Sequence, residues 1–276
     1  MNNISGELRE VYIEEQKQLI LDILLDFDRL CKTQGIKYTL AYGTLLGAVR
    51  HKGFIPWDDD IDVIVTREDY KKLNMIANAH LESHHQFICV ENNKGFSAPL
   101  GKIIDNTTIL EQQGHFSDRV DLGVYIDIFV YDWIPNKINK QRKVLSKAVL
   151  LQKIWSFCGN NYGEHSAMVV VMRKMLNKTP LARIVSIYTN RWAQRTTSDR
   201  QIMAALVFGL PKHREKNVMS FDDFQDQIQY TFEGYKFNGV RKADEYLKQW
   251  YGNYMELPPI ESQVSNHSFR VFKKEA

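Results

Sequence analysis

The segment Asp60–Val65, with the sequence Asp-Ile-Asp-Val-Ile-Val, is the feature that most limits how this chain folds. Its β-branched apolar residues predict a buried strand, but two aspartates interrupt the pattern. Since residues i and i+2 of a strand point to the same face, Asp60 and Asp62 are predicted to project side by side, with Ile61 facing the core between them. The alternative is a solvated acidic loop, which does not require β-branched residues around its carboxylates.

Patterns on both sides of this strand predict a mixed sheet with flanking helices. Apolar residues at helical spacing between positions 7 and 34 predict a long helix that ends at Gly35. A second amphipathic pattern predicts a helix over 67–80, directly after the aspartate strand. Further strands are predicted at 36–41, 86–91, 98–105, 107–111 and 124–129, and a short helix at 45–51. We therefore expect an α/β (α+β) fold over residues 1–135.

The second half of the chain has a different pattern. Helical spacing predominates over 137–208. A turn-rich segment at 232–239 precedes a predicted final helix at 243–251. We interpret residues 136–276 as a mainly helical region packed on the core formed by residues 1–135.

The composition is that of a globular protein and excludes a disordered or collagen-like chain, because 44% of the 276 residues are hydrophobic and 25% are charged. A net charge of +3 is too small to predict nucleic-acid binding. The three cysteines show no zinc-ligand spacing, so we expect buried, reduced thiols. The N-terminus lacks the apolar stretch of a signal peptide, and no segment is apolar over the roughly 20 residues that a membrane span needs. We therefore expect a soluble, cytoplasmic protein.

The aspartates that precede and begin the strand form a dense negative cluster. Like-charged carboxylates repel each other unless a cation neutralises them or one takes a proton, and hard divalent cations are bound by such carboxylates together with substrate phosphates. We therefore predict that Asp60 and Asp62 bind Mg²⁺ or Mn²⁺. Asp127 is the predicted third ligand because it interrupts another apolar strand, and the alternative is a hydrogen-bonded Asp127 at a sheet edge. Asp121 and Asp132, in the predicted flanking turns, are weaker candidates.

A short turn upstream of the aspartates predicts a phosphate-facing wall. Gly43 and Thr44 lie at a predicted strand-to-helix turn. Glycine lets backbone N–H groups approach a ligand closely, and the N-terminus of a helix favours an anion. A Gly-Thr dipeptide alone is usually only a turn, but together with the carboxylate strand it predicts a nucleotide site.

Basic and aromatic residues near these positions are candidate substrate contacts. Arg50 and Lys52 follow the glycine turn, and Lys102 lies in another predicted strand, so that each is able to offset phosphate charge. Trp57 is a candidate to stack on a base or sugar, and the adjacent Asp58 adds negative potential. Each has a simpler alternative, namely a surface charge for the three cations and core packing for Trp57.

Three blocks of the chain share their order of motifs with one protein family. The first block, 42–63, runs from Tyr-Gly-Thr-Leu-Leu-Gly-Ala-Val-Arg-His to Pro-Trp-Asp-Asp-Asp-Ile-Asp. The second is Tyr-Ile-Asp-Ile-Phe at 125–129, and the third runs from Tyr246 to Pro259 and includes His267 further on. Together the blocks resemble the LicD family of nucleotidyltransferase-fold proteins, which includes the fukutin-related sugar-phosphate transferases.

The resemblance implies a nucleotidyltransferase-like mixed sheet and a metal-dependent transfer of a substituted phosphate. The transferred group is commonly phosphocholine from CDP-choline, and the acceptor is a sugar hydroxyl of a cell-surface glycan (teichoic acid, capsule or lipopolysaccharide) or of its lipid-linked precursor, with release of CMP. The resemblance implies that Asp60, Asp62 and Asp127 bind the metal and that Gly43 and Thr44 contact phosphate, and it matches Asp58 to an acidic position.

Three other functions stay open at this point. The first keeps the fold but uses CDP-ribitol, CDP-glycerol or another activated alcohol as donor, because the carboxylates contact only the shared diphosphate. The second is ordinary nucleotidyl transfer with release of pyrophosphate. The third is a non-catalytic module that binds a glycan or a nucleotide.

A lipid-linked acceptor would place the reaction at the inner face of the cell membrane. The tail at 269–274 mixes aromatic and basic residues, which attract a membrane surface weakly and in a salt-sensitive way. The alternative for this tail is a frayed surface terminus.

Overall fold

The computed structural model confirms the predicted mixed α/β fold. The residues that it describes are 8–112, 122–159, 176, 179–207, 211–265 and 269–274. Within these ranges the helices are α1 (Ile13–Gln34), α2 (Tyr42–Arg50), α3 (Arg67–His80), α4 (Ile138–Gly159), α5 (Leu181–Ala193), α6 (Phe221–Gln225) and α7 (Ala243–Tyr251). The strands within them are β1 (Leu8–Val11), β2 (Tyr38–Leu40), β3 (Asp62–Thr66), β4 (His85–Ile88), β5 (Gly101–Asp105), β6 (Thr108–Gln112), β7 (Tyr125–Ile134), β8 (Ile202–Ala205), β9 (Val218–Ser220), β10 (Gln227–Phe232), β11 (Tyr235–Val240) and β12 (Phe269–Lys274).

The central sheet contains seven of the strands that the structure describes. Its main path runs β2-β3-β7-β5-β4, and β8 and β9 extend from β7. Strands β3 and β7 are parallel, whereas the other neighbouring pairs are antiparallel. Because β7 is ten residues long, β5 pairs with its first half and β8 with its last four residues. This topology places the beginnings of β3 and β7 side by side.

Helix α1 confirms the long amphipathic helix and its predicted end. Its apolar side is buried in the core, where Ile23 and Phe27 are fully enclosed. Gly35 has a left-handed φ of 63°, a conformation that glycine adopts without strain, and its N–H bonds the carbonyl of Cys31. The helix begins at Ile13 because the residues before it form β1.

Two element boundaries differ from the prediction at the acidic segment. Strand β3 begins at Asp62, so Asp60 precedes the strand instead of lying within it. Helix α2 begins at Tyr42, three residues before the predicted start, so Gly43 and Thr44 lie in its first turn. The start of β3 follows from its pairing with β7, since the ladder between the two strands starts at Asp62.

Several segments of the second half form strands where the sequence did not predict them. Strand β8 lies in the stretch predicted to be helical, and its apolar run is buried. A run this short has no distinguishing period, and pairing with β7 decides its conformation. The turn-rich segment is an antiparallel hairpin of β10 and β11, whose turn residues Glu233 and Gly234 have positive φ values of 48° and 82°.

The tail at 269–274 is not a frayed terminus. It forms β12, which lies between β1 and β6 in a second sheet. Val271 is buried, and the Arg270 guanidinium donates to both carboxylate oxygens of Glu10 at 2.8 and 2.9 Å. The basic and aromatic residues of this tail are therefore part of a strand that is paired on both sides.

The predicted division near residue 135 does not follow an edge of the central sheet, because β8 and β9 come from the second half of the chain. The division itself stays a prediction. The three cysteines, all within the described ranges, are buried thiols as predicted. In the part of the chain that the structure describes, no helix combines the length and the apolarity needed to cross a membrane.

Candidate active site

Strand register places three charged residues in one row across the central sheet. Asp62 on β3 is the register partner of Asp127 on β7, and Asp127 is the register partner of Lys102 on β5. The N–H of Asp127 donates to the carbonyl of Ile61 at 2.8 Å, which joins the beginnings of the two parallel strands. Register partners on neighbouring strands project to the same face. The structure thus brings Asp62 and Asp127 together, while their role as metal ligands stays a prediction.

A cavity of about 570 Å³ lies beside this row. Asp58, Asp60 and Asp62 form its acidic side, and Trp57 contributes an aromatic surface. The segment 251–258 supplies much of the remaining wall. The volume is in the range of sites for small organic ligands, roughly 300–1,000 Å³.

The carboxylates of this site repel one another. The pKa of Asp62 is raised well above its ordinary value, because burial disfavours its charge and because Asp60, Asp127 and Asp58 repel it. The Lys102 ammonium opposes this increase. An additional positive charge beside Asp62 would therefore relieve an unfavourable concentration of negative charge.

The chemistry of these donors fits a hard divalent cation, since all of them are carboxylate oxygens. Among the described residues, however, no three His, Cys, Asp or Glu side chains are already arranged to hold a metal ion together. One oxygen of Asp127 accepts a bond from Lys102 Nζ at 2.5 Å. Asp60 and Asp62 are therefore the residues that would hold a cation, and substrate phosphates commonly complete such a coordination shell.

Gly43 and Thr44 serve the site in different ways. Gly43 lines the cavity, and a Cβ atom at this position would lie 2.7 Å from Asp58 Oδ2, so a side chain would displace that carboxylate. Thr44 is buried, and its hydroxyl accepts a hydrogen bond from the Asp62 N–H at 2.8 Å. Thr44 therefore links α2 to β3 by a hydrogen bond, and it is not among the described residues that line the cavity. Ala41, at the N-cap, offers no side-chain acceptor, which suits an anion at the N-terminus of α2.

Tyr42 holds the beginning of α2 in an unusual backbone conformation. Its φ is 43°, which costs a non-glycine residue on the order of 1–3 kcal/mol. Its ring packs edge-on against Phe129 and Trp250, with centroids 4.9 Å apart in both pairs. Its N–H donates to the Tyr246 hydroxyl at 3.3 Å. These contacts hold Tyr42 in its strained backbone conformation, and this conformation places Gly43 at the cavity.

The three cations predicted to contact phosphate occupy different environments. Arg50 lines the cavity, and its Nη1 donates to the carbonyl of Tyr254 at 2.5 Å. Lys52 lies just after α2, and its Nζ donates back to the carbonyl of Val49 in that helix at 3.1 Å. Lys102 is buried against Asp127. Of the three, only Arg50 is among the described residues that line the cavity, which favours it as a phosphate contact. Phosphate contacts of Lys52 and Lys102 stay predictions.

The weaker aspartate candidates do not contribute to this site. Asp132 lies within β7 and not in a flanking turn, and it forms a buried ion pair with Arg67 at 2.8 Å. Its partner lies at the beginning of α3, so the pair joins helix to sheet. Asp121 and His267 fall outside the described residues.

Sequence reasoning did not assign the C-terminal wall of the cavity. Tyr251, Tyr254 and Glu256 lie in this wall, close to the end of α7. Arg50 holds it in place through the backbone carbonyls of Tyr254 and Glu256. The signal that pointed to this segment was its family-like sequence from Tyr246 to Pro259, whereas periodicity predicted only the helix.

The sequence is similar to one protein family and to several known proteins. Residues 35–150 match the family model described as LicD/FKTN/FKRP, nucleotidyltransferase domain. The lipopolysaccharide cholinephosphotransferase LicD of Haemophilus influenzae is 30% identical over 277 residues, which cover 94% of this chain and 97% of that protein. Uncharacterized proteins of Rickettsia typhi and Rickettsia prowazekii are 44% and 41% identical over shorter stretches, 23% and 25% of this chain and 21% and 27% of those proteins.

The similarity to the Haemophilus protein extends beyond the acidic segment. It spans nearly the whole of both chains. The family model covers the part of the chain that contains Gly43, the aspartate cluster and Asp127. The chain therefore belongs to the LicD family and is a phosphotransferase.

Proposed function

We propose that this protein transfers phosphocholine from CDP-choline to a hydroxyl group of a cell-surface glycan, or of its lipid-linked precursor, and releases CMP. The Haemophilus relative is named as a cholinephosphotransferase of lipopolysaccharide. The observation that supports the proposal best is a single cavity in which three aspartates lie near aromatic residues that include Trp57 and Tyr251. Carboxylates suit a cation-neutralised diphosphate, and aromatic rings suit a quaternary ammonium group.

A divalent cation, Mg²⁺ or Mn²⁺, is the proposed cofactor, and Asp60 and Asp62 would hold it. When bound, such an ion neutralises charge on the donor diphosphate and on the departing CMP. The protein's own contribution is to orient the donor. We propose that Arg50 and the N-terminus of α2 at Gly43 bind the donor phosphates, because both lie at the cavity.

The proposed reaction forms one P–O bond and breaks another. The acceptor hydroxyl oxygen attacks the phosphorus that carries choline, and the bond from this phosphorus to the bridging oxygen breaks. The bridging oxygen leaves with CMP, and the product is a phosphodiester. We propose that the Asp127 carboxylate, which lies next to Asp62 in the row, accepts the proton of the attacking hydroxyl group.

A donor comparison tests this function. Purified protein is incubated with Mg²⁺ and with lipopolysaccharide, teichoic acid and capsule preparations that lack choline, and CMP release is measured by chromatography. We expect CDP-choline to react at least about tenfold faster than CDP-glycerol or CDP-ribitol, and EDTA to stop the reaction. Faster release from a CDP-polyol, or pyrophosphate from CTP, would contradict the proposed donor. Undiminished release in EDTA would contradict the cofactor.

Trp57 is expected to contribute to recognition of the choline group. Replacing it with leucine removes the aromatic face, so the KM for CDP-choline is expected to rise about tenfold through loss of the cation–π attraction. Trp57→Phe is the matched control and is expected to retain part of the affinity. The KM for CDP-glycerol, which carries no cation, is expected to change little in both variants. Equal increases for the two donors would show that Trp57 only shapes the cavity.

A further inference from the structure

Lys102 lies in an environment that lysine rarely occupies. All five residues of β5 are buried, and Lys102 itself is 8% exposed. Lysine is almost never fully buried unless it is paired. Its Nζ donates to Asp127 Oδ1 at 2.5 Å and lies 3.3 Å from the ring centroid of Tyr125. The ammonium is therefore held between a carboxylate and an aromatic face.

The position of this pair distinguishes it from an ordinary buried salt bridge. Lys102 and Asp127 face each other across β5 and β7, and Asp127 faces Asp62 across β7 and β3. The ammonium thus lies at one end of a row in which the other two charges are negative. Lys102 is not among the described residues that line the cavity, and its ammonium already donates to Asp127, so its nearest charged partner is that carboxylate.

We propose that Lys102 is a positioning residue that fixes Asp127 and supplies a positive counter-charge within the carboxylate row. This inference rests on the proposed function of the row. The Lys102 bond restricts rotation of the Asp127 carboxylate by holding one of its oxygens. The same positive charge offsets part of the repulsion among the aspartates, so the row needs less positive charge from a bound ion. A cation bound near Asp62 is also repelled by Lys102, so its affinity is lower than the carboxylates alone would give.

Removing the charge of Lys102 is expected to move cation affinity and catalysis in opposite directions. Lys102→Met keeps a long apolar stem beside Tyr125 but removes the ammonium. We expect this variant to bind Mn²⁺ about tenfold more tightly than wild type, because a repelling charge is gone and both oxygens of Asp127 are released. We expect its kcat to fall about a hundredfold with little change in donor KM, because Asp127 is no longer fixed. Lys102→Arg retains the charge and is expected to restore wild-type Mn²⁺ affinity and part of the kcat.

The experiment is a calorimetric titration of each full-length variant with Mn²⁺ in the absence of donor, followed by kinetics with CDP-choline. Circular dichroism first establishes that each variant is folded. Tighter Mn²⁺ binding with a lower kcat in Lys102→Met supports the proposal. Unchanged Mn²⁺ affinity, or weaker binding, in the folded variant overturns it.

A second variant keeps the test decisive if Lys102→Met does not fold. Asp127→Asn preserves the ammonium but removes the charge that it neutralises, so this variant is expected to bind Mn²⁺ at least about tenfold more weakly than wild type. Wild-type Mn²⁺ affinity in Asp127→Asn overturns the inference. Because the titrations contain no donor, they are independent of the proposed reaction. If cation binding follows the prediction but no CDP-linked donor yields CMP, the proposed reaction fails and the inference about Lys102 stands.

Discussion

Asp62→Asn is expected to lower CMP release by about a thousandfold or more, because asparagine keeps the shape of aspartate but lacks the charge that would hold a cation against the diphosphate. Asp60→Asn is expected to have a similar effect, since both side chains line the cavity. The measurement is the single-turnover rate of CMP release at saturating CDP-choline. Asp199→Asn is the matched control, because Asp199 is exposed and is not among the described residues that line the cavity.

Although Asp62→Asn is expected to lose activity, its thermal stability is expected to stay the same or to increase. In metal-free protein the pKa of Asp62 is raised by burial and by its acidic neighbours. The folded state disfavours the ionised form of a carboxyl group whose pKa is higher in the folded than in the unfolded protein. The free energy of unfolding therefore falls as the pH rises from the unfolded-state pKa through the folded-state pKa. Asparagine cannot ionise. The variant in EDTA is therefore expected to melt at or above the wild-type temperature near neutral pH.

The two measurements together separate a functional loss from a folding defect. Lost activity in a variant whose melting temperature is not below that of wild type identifies Asp62 as a functional carboxylate. Active-site residues are commonly less than optimal for stability because function requires them. Wild-type rates in both Asp60→Asn and Asp62→Asn would rule out the proposed cation site. A decrease in melting temperature would instead assign Asp62 a structural role.

Asp132→Asn is expected to lower the free energy of unfolding by about 3–5 kcal/mol, since it leaves a buried guanidinium without its counter-charge. Arg67 Nε and Nη2 each donate to one oxygen of Asp132 at 2.8 Å, and Nη1 donates to Asn190 Oδ1 at 2.9 Å. The side chains of the ion pair are 4% and 1% exposed. The three residues join α3, β7 and α5, so the loss would affect the packing of both helices on the sheet. Urea unfolding measures the change.

An exposed ion pair provides the control for this prediction. Asp226 accepts a bond from Arg241 Nε at 2.8 Å, but both side chains are at least half exposed. Asp226→Asn is therefore expected to cost less than about 1 kcal/mol. The double variant Arg67→Met, Asp132→Leu is expected to be more stable than Asp132→Asn, because it removes both charges together. A cost below that of the Asp226 control would refute the structural role of the Arg67–Asp132 pair.

Local signals predicted the helices well, because their causes lie within a few residues of chain. Helix α3 spans the predicted residues, and Thr66 caps it by accepting a bond from the Asp69 N–H at 3.1 Å. Helix α7 likewise spans the predicted 243–251. In each case apolar periodicity and the flanking polar or glycine residues are sufficient to specify the element.

Long-range pairing explains where prediction failed. Strand β8 has only four residues and no distinguishing period, and it is a strand because β7 pairs with it. The tail at 269–274 has a composition typical of an exposed terminus, yet it lies between β1 and β6. Composition does not identify a partner strand that is far away in the sequence.

Residue type and local spacing are enough to predict the mixed α/β class, the turn at Gly43 and Thr44, and the set of aspartates. The folded chain is needed to show that Asp127 lies opposite Asp62, that Lys102 contacts Asp127, and that segment 251–258 forms a wall of the site. Strand register and the packing of the C-terminal segment bring distant residues together. These depend on the folded chain as a whole, so no short stretch of sequence specifies them.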